Sequence, residues 1–332
     1  MREFEYIEAI KRLVRRHSPA GLRVGIGDDA AVLRASRSPQ VLSTDCQIEG
    51  VHFRFGWLTP QQAARRAVEA ALSDLAAMGA LPRALLAAIQ LPLGFSDRKA
   101  LAFARGLSAA CRRHGIAFAG GNVAAYEGPF SVTLTVAGEI RSGSRPLLRS
   151  RGEPGHVIFA TGLPGLARLG MEALKKKATL QPFLRKAVRA YTTPKAQLTE
   201  GTFLSRQPGV GAVIDLSDGL AGDLKHIALA SGVGAELQFA PPKGFLEACS
   251  YLGLDPYESM LGPSDDYQLL FTVSRRWAER LKKSFQRRFR RKLLTLGRLT
   301  PGKGKITLVY PDGRRISVNA FSFEHLFGSK KP

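Results

Sequence analysis

The residues best placed to do chemistry are carboxylates set beside glycines. Gly25-Ile26-Gly27-Asp28-Asp29-Ala30-Ala31-Val32 puts two glycines ahead of two adjacent acids, and Ser43-Thr44-Asp45 follows. Glycine frees the backbone for a tight turn. Adjacent carboxylates repel, so unless solvent screens them the pair needs a cation close by. The expected cation is Mg²⁺ carrying nucleotide phosphates; a solvated Asp-Asp turn is the plain alternative. Gly25-x-Gly27-x-x-Ala30 also fits a dinucleotide-binding loop, with Asp45 placed for the ribose hydroxyl. That loop aims bare backbone N–H groups at a pyrophosphate from the start of a helix. Here two anionic side chains would face the pyrophosphate, and Ala31-Val32-Leu33 reads at least as well as strand, which disfavours it.

Further acids sit in apolar surroundings. Asp74 lies in Ala70-Ala71-Leu72-Ser73-Asp74-Leu75-Ala76-Ala77-Met78, apolar on every face and so expected to be buried all round. With no basic residue within a helical turn, Asp74 should be protonated, paired from elsewhere or bound to metal; a structural hydrogen bond is the ordinary reading. In the second half the strand Val210 to Ile214 delivers Asp215-Leu216-Ser217-Asp218-Gly219-Leu220 onto a helix start. Capping explains Ser217 or Asp218, but not all three polar groups. An anionic cap also weakens a bare helix-terminus phosphate site, which points to a bridging cation. Mg²⁺ commonly binds through one or two carboxylates plus substrate phosphates. The chain has no Gly-x-x-x-x-Gly-Lys-Ser/Thr, so a nucleotide site here falls outside the P-loop class.

The elements that position these groups read as mixed α/β. At 332 residues the chain can form two domains, and Arg141 to Gly155, rich in Gly, Ser, Pro and Arg, marks the boundary. The expected division is 1–142 and 143–332. The spacing of Phe4, Ile7, Ile10 and Val14 predicts an amphipathic N-terminal helix. Thr59-Pro60 starts a helix that Gly79 ends, and another spans 96–114. Strands are expected at Val41 to Asp45, Leu85 to Leu91, Ile116 to Ala119 running into Gly120-Gly121-Asn122, Ser131 to Ile140 and His156 to Ala160. The composition, 45% hydrophobic and 23% charged, is that of a globular protein, and no 18-residue window is free of charge, which predicts no membrane span. Cys46, Cys111 and Cys249 imply neither a disulfide framework nor a zinc site and fit a reducing cytoplasm. A net charge of +22 favours anionic partners. Residues 275–292 form an amphipathic helix with a highly basic outer face, ordinarily a solvated face over a sheet, with RNA or membrane contact as the alternative.

These motifs together resemble the thiamine-monophosphate kinase family, in the superfamily of aminoimidazole-ribonucleotide synthetase and selenophosphate synthetase. The resemblance rests on the two acidic stretches above, Glu49-Gly-Val-His-Phe53, Leu72 to Ala80, Ile214 to Leu220, Asp266-Tyr-Gln-Leu-Leu-Phe271 and Phe323-Glu-His325. It implies an N-terminal sheet domain that forms a barrel with a second subunit, a C-terminal α/β domain, a homodimer, and ATP- and Mg²⁺-dependent conversion of thiamine monophosphate to thiamine diphosphate. By that resemblance Asp29, Ser43, Thr44, Asp45, Asp74, Asn122, Asp215 and Asp218 stand at Mg²⁺ positions. Gly121, Asn122, Arg149 and Ser217 stand at ATP contacts, and His52, Asp265 and Phe323 at positions that touch the thiamine phosphate.

The sequence also departs from the family. Asn122 replaces an Asp, which keeps a carbonyl oxygen and loses a charge. Asp265 is shorter than the usual Glu, Pro194-Lys195-Ala196-Gln197 lacks an Arg, and His156 stands where an Asp is usual. Two rivals remain at this level: the same ATP site serving another small acceptor, and a nucleotide- or RNA-binding relative without turnover.

Overall fold

Capping chemistry fixes one of the two longest helices. Thr59 Oγ1 accepts the Gln62 N–H at 3.3 Å, the Gln62 Oε1 accepts the Thr59 N–H at 2.9 Å, and Pro60 fills the first turn. The computed structural model describes residues 2–14, 21–178 and 181–318. The N-terminal elements are α1 (Glu3–Val14), β1 (Leu22–Val24), β2 (Val32–Leu33), β3 (Gln40–Ile48), the capped helix α2 (Pro60–Ala77), β4 (Leu81–Pro92), α3 (Asp97–His114), β5 (Ala117–Tyr126) and β6 (Ser131–Glu139). Next come β7 (Val157–Ala160), α4 (Leu166–Lys175), α5 (Pro182–Thr192) and α6 (Leu198–Leu204). The chain continues through β8 (Val210–Asp215), α7 (Leu220–Ser231), β9 (Gly234–Leu237), α8 (Lys243–Leu252), α9 (Pro256–Leu261), β10 (Leu269–Val273) and α10 (Arg275–Phe289). Strands β11 (Leu294–Thr300), β12 (Ile306–Val309) and β13 (Arg315–Ser317) close it. No described helix is long and apolar enough to cross a membrane.

Two compact units result. One holds the residues up to Pro146 together with Thr192–Arg206; the other holds Leu147–Tyr191 and the residues from Gln207 on. A single cut at 142/143 therefore misses one feature, because α6 belongs with the first unit. The reason is local packing: α6 lies on α2 so closely that a Cβ on Gly201 would fall 2.0 Å from the Ala76 carbonyl oxygen. The Glu69 carboxylate, 1% exposed, holds the approach to α6 by accepting the Ala196 N–H at 2.9 Å, while His114 Nε2 lies 3.0 Å from its other oxygen.

In the first unit four strands run in the order β3-β6-β4-β5, with only β4 and β5 parallel. Helix α2 packs on this sheet and against α3 and α6, which explains why nearly every residue of its second half is buried. Asp74 and Met78 are the exceptions: they are half-buried, so the expectation of burial all round fails along that one line. On the opposite face of the sheet Leu42 is 71% exposed and Leu86 41%. Gly120-Gly121-Asn122 lies within β5 rather than after it. Its two glycines continue the pairing beyond a register shift at Leu85/Leu86, and a Cβ on Gly121 would sit 1.9 Å from the Ala87 carbonyl oxygen. Side chains would forbid that approach, so glycine lets the strand run on.

The second unit is built on seven strands in the order β13-β12-β9-β11-β7-β10-β8, mostly antiparallel, with β9 and β12 parallel. Every residue of β8 and β10 is buried. Their continuous apolar runs put Asp215 at the polar end of a strand covered on both faces.

Candidate active site

The acids of the first unit fall at opposite edges of its sheet. Asp28 and Asp29 are exposed on a turn where the Asp28 carboxylate accepts the Asp29 N–H at 3.0 Å. That turn helps line a cleft of about 800 Å³, a size typical of small-ligand sites. The other walls come from α1, through Ile7, Glu8 and Lys11, and from residues 118–123 of the edge strand β5. Asp29, Gly121 and Asn122 therefore share one cleft. Lys11 had no role in the sequence beyond its helix face. Its Nζ lies 2.7 Å from where a Cβ on Gly27 would stand, a flexible end that could move aside, so it is the backbone, with φ of +122°, that calls for glycine. Lys11 thus lines the same cleft as the Asp pair while its Nζ lies 3.3 Å from Glu8 Oε1.

Ser43, Asp45 and Asp74 gather at the far edge, on β3 and α2. The Ser43 hydroxyl donates a short hydrogen bond to Asp74 Oδ2, and Gln47 Nε2 donates to Asp45 Oδ2 at 3.1 Å. Thr44 does not join them with its side chain. Strand alternation turns it to the other face, where its hydroxyl meets Thr135 Oγ1 at 3.2 Å, so only its backbone could reach a ligand held by Ser43 and Asp45. Register measures the separation: Asp45 pairs with Leu134, Leu134 with Ala87 and Ala87 with Gly121. Three strand spacings are about 14 Å, far beyond the ~2.1 Å reach of a Mg²⁺–oxygen bond.

His52 sits in a loop anchored by aromatics. Phe53 is buried and packs against Phe55 and Phe130 at ring separations of 5.2 and 6.2 Å. The Ile48 N–H donates to His52 Nδ1 at 3.0 Å, so a neutral ring carries its proton on Nε2.

In the second unit, Asp215 ends β8 and the next turn carries Ser217 and Asp218. Asp223 on α7, not singled out in the sequence, shapes that turn: its Oδ2 accepts the Ser217 N–H at 3.1 Å and the Asp218 N–H at 3.2 Å. Burial pushes the Asp223 carboxyl well above the usual carboxylate range, and the charges of Asp215 and Asp218 push the same way. Three mutually repelling acids make a place that a cation would relieve. Yet among the described residues no group of three or more His, Cys, Asp or Glu converges as a ready metal site. The donor sets fit Mg²⁺ only if water and phosphate oxygens complete them, which is its usual habit.

The remaining site candidates and the departing residues at positions 156, 197 and 265 have defined surroundings. Asp266 is buried and accepts from the Gly165 N–H at 2.6 Å, the Ala167 N–H at 2.8 Å and the Ser264 hydroxyl at 2.5 Å, so it caps α4 from outside. Burial raises its carboxyl to about 6 against those three hydrogen bonds. Its neighbour Asp265 is half-buried and receives the Tyr267 hydroxyl at 3.4 Å. Gln197 is buried at the start of α6, its amide donating to the Lys195 carbonyl at 2.6 Å. His156 is packed near Thr272, and burial lowers its pKa, opposed by Glu153. Arg149 is exposed, with its carbonyl held by Ser231 Oγ at 2.8 Å. Phe323 lies outside the described residues.

Comparison with known proteins gives these groups a context. A family model described as AIR synthase related protein, N-terminal domain, matches residues 27–140, and the corresponding C-terminal domain matches 153–309. A thiamine-monophosphate kinase of Mycobacterium tuberculosis is 32% identical over 270 residues, covering 79% of this chain and 78% of that protein. Among solved structures, thiamine-monophosphate kinase from Stenotrophomonas maltophilia K279a matches with TM-score 0.79 and 29% identity, covering 94% of this chain and 97% of the other. AaThiL complexed with AMPPCP and TMP matches with TM-score 0.74 and 26% identity, covering 98% and 99%.

Proposed function

The chain belongs to the thiamine-monophosphate kinase family of AIR synthase related proteins, and on that premise we propose that it transfers the γ-phosphoryl group of ATP to thiamine monophosphate, giving ADP and thiamine diphosphate. The observation that carries this reading is the near full-length likeness to a structure complexed with AMPPCP, an ATP analogue, and TMP. Phosphoryl transfer asks little covalent chemistry of a protein; it asks for positioning and for neutralised charge. Mg²⁺, when bound, supplies that neutralisation and screens the two anions from each other.

The chain's own residues divide the work. Asp29 with Asn122 on one sheet edge, Ser43, Asp45 and Asp74 on the other, and Asp215 with Asp218 in the second unit are the proposed metal-side oxygens, Thr44 serving through its carbonyl. Gly121, Asn122, Ser217 and Arg149 face the nucleotide in this reading. His52, through its Nε2–H, and Asp265 orient the acceptor, with Phe323 as a further contact. The 14 Å between the two edges supports a homodimer, in which a second copy sets its β5 edge beside β3 of the first and covers the face carrying Leu42 and Leu86.

The test is purified protein with ATP, Mg²⁺ and thiamine monophosphate, following ADP and thiamine diphosphate by chromatography. Equal amounts of the two products are expected. ADP without thiamine diphosphate would move the reading to another small acceptor; neither product would end it.

Asn122→Asp restores a charge that the family ordinarily has. It is expected to lower the Mg²⁺ concentration for half-maximal rate by about three- to tenfold, because ligand charge count tunes the affinity of such sites. An unchanged Mg²⁺ titration would remove residue 122 from the ligands.

A further inference from the structure

The excess positive charge is concentrated. Residues 275–292 hold ten Lys or Arg against one Glu, a net of nine out of the chain's +22. Helix α10 buries Ala278, Leu281 and Phe285 and turns its charges outward. Arg280, Lys283 and Arg287 are three and four residues apart, so they fall in one stripe, about 10 Å long at helical rise, and Arg290, the left-handed cap just past the helix, carries on into the same groove. All four are exposed, and with Glu279 and Gln286 they line a groove of about 790 Å³. Glu279 is held by Lys282 at 2.9 Å, and among the described residues none of the four stripe cations has a carboxylate partner.

Like charges at this spacing destabilise a helix, a cost that a solvated face would avoid by alternating Lys with Glu. Seven of the ten cations are Arg, the side chain that suits phosphate by its planar fork and stacks on rings. Arg280 already lies over the Trp277 ring at 5.1 Å, with Arg276 at 6.0 Å. A membrane is a poor fit, because the apolar face that would enter the bilayer is buried in the protein's own core. A single small anion would meet one or two charges of a row; a chain of phosphates would meet them in succession. We propose that the α10 stripe binds single-stranded nucleic acid along its phosphate backbone, independently of the kinase reading.

The test uses fluorescence anisotropy with fluorescein-labelled 20-mers of oligo-U and oligo-dT on the full chain. Four neutralised phosphates predict a slope of log affinity against log salt near −3 and about 50-fold weaker binding at 200 mM than at 50 mM salt. Both oligomers should bind within a few-fold, since phosphate is what they share. Replacing Arg280, Lys283, Arg287 and Arg290 together by Ala should flatten the slope and abolish binding. The same charge removed from α3, by Arg98→Ala, Lys99→Ala, Arg105→Ala and Arg113→Ala, should leave binding within a few-fold; thermal unfolding confirms that both variants are folded. Unchanged binding by the α10 variant overturns the proposal, and so does an equal loss in the α3 variant, which would reduce the effect to net charge. Stripe-dependent binding to phosphatidylglycerol vesicles that is tighter than binding to either oligomer at the same salt would also overturn it, assigning the surface to lipid.

Discussion

Asp74→Asn lowers kcat by at least about a thousandfold and leaves the thermal unfolding midpoint within a few degrees of wild type. Asn is nearly isosteric and keeps a carbonyl oxygen for the hydrogen bond from Ser43. Asp74 is only half-buried and Asn fills nearly the same space, so the exchange leaves no cavity. What it removes is one negative charge from the β3 edge, where the proposed site has Ser43, Asp45 and Asp74 as oxygen donors. Removing one fixed electrostatic contact to a reacting phosphate commonly costs about 10²–10³ in kcat, and a misplaced metal adds to that loss. Parallel measurement of steady-state rates and unfolding curves checks both halves of the expectation. Near-full activity would take Asp74 out of the metal site and leave it as the structural hydrogen-bond acceptor it also is.

Gly201→Ala destabilises the first unit by about 3 kcal/mol, which lowers its unfolding midpoint by roughly 6 to 12 °C. The added methyl would sit 2.0 Å from the Ala76 carbonyl oxygen, and backbone on a buried helix cannot swing aside as a flexible side chain can. The strain enters α2 two residues from Asp74, so activity should fall along with stability. A midpoint shift under about 2 °C would mean that α6 does not dock on α2 as described. Gly201→Ser, with a side chain of similar bulk at the same point, should behave alike.

Local chemistry made much of this legible. The Thr59-Pro60 start of α2, the polar end of β8 and the basic face of α10 each follow from a few neighbouring residues. Thr44 shows a subtler case: strand alternation alone separates it from Ser43 and Asp45, yet motif matching carries all three together. Gly120-Gly121-Asn122 misled because glycine usually breaks strands; only the close approach of Ala87 explains why it continues one here. The part Asp223 plays was not legible, because a buried acid on a helix does not show that it turns back to the preceding loop; for Asp266 the motif was legible but its partners were not. Asp266 reaches residues 165 and 167, about a hundred positions away.

The interleaving of α6 with the first unit also sets the order in which the chain can finish folding. Strand β6 ends at Glu139, but the segment that covers α2 ends at Arg206. At ordinary synthesis speeds of about 5–20 residues per second, those 67 residues take roughly 3 to 13 s to emerge. Throughout that interval the N-terminal unit exists on the ribosome with a buried-type helix face uncovered and Glu69 without its backbone N–H donor. While that middle stretch is being made, the nascent chain carries an apolar helix face that only later residues cover, the condition that favours aggregation.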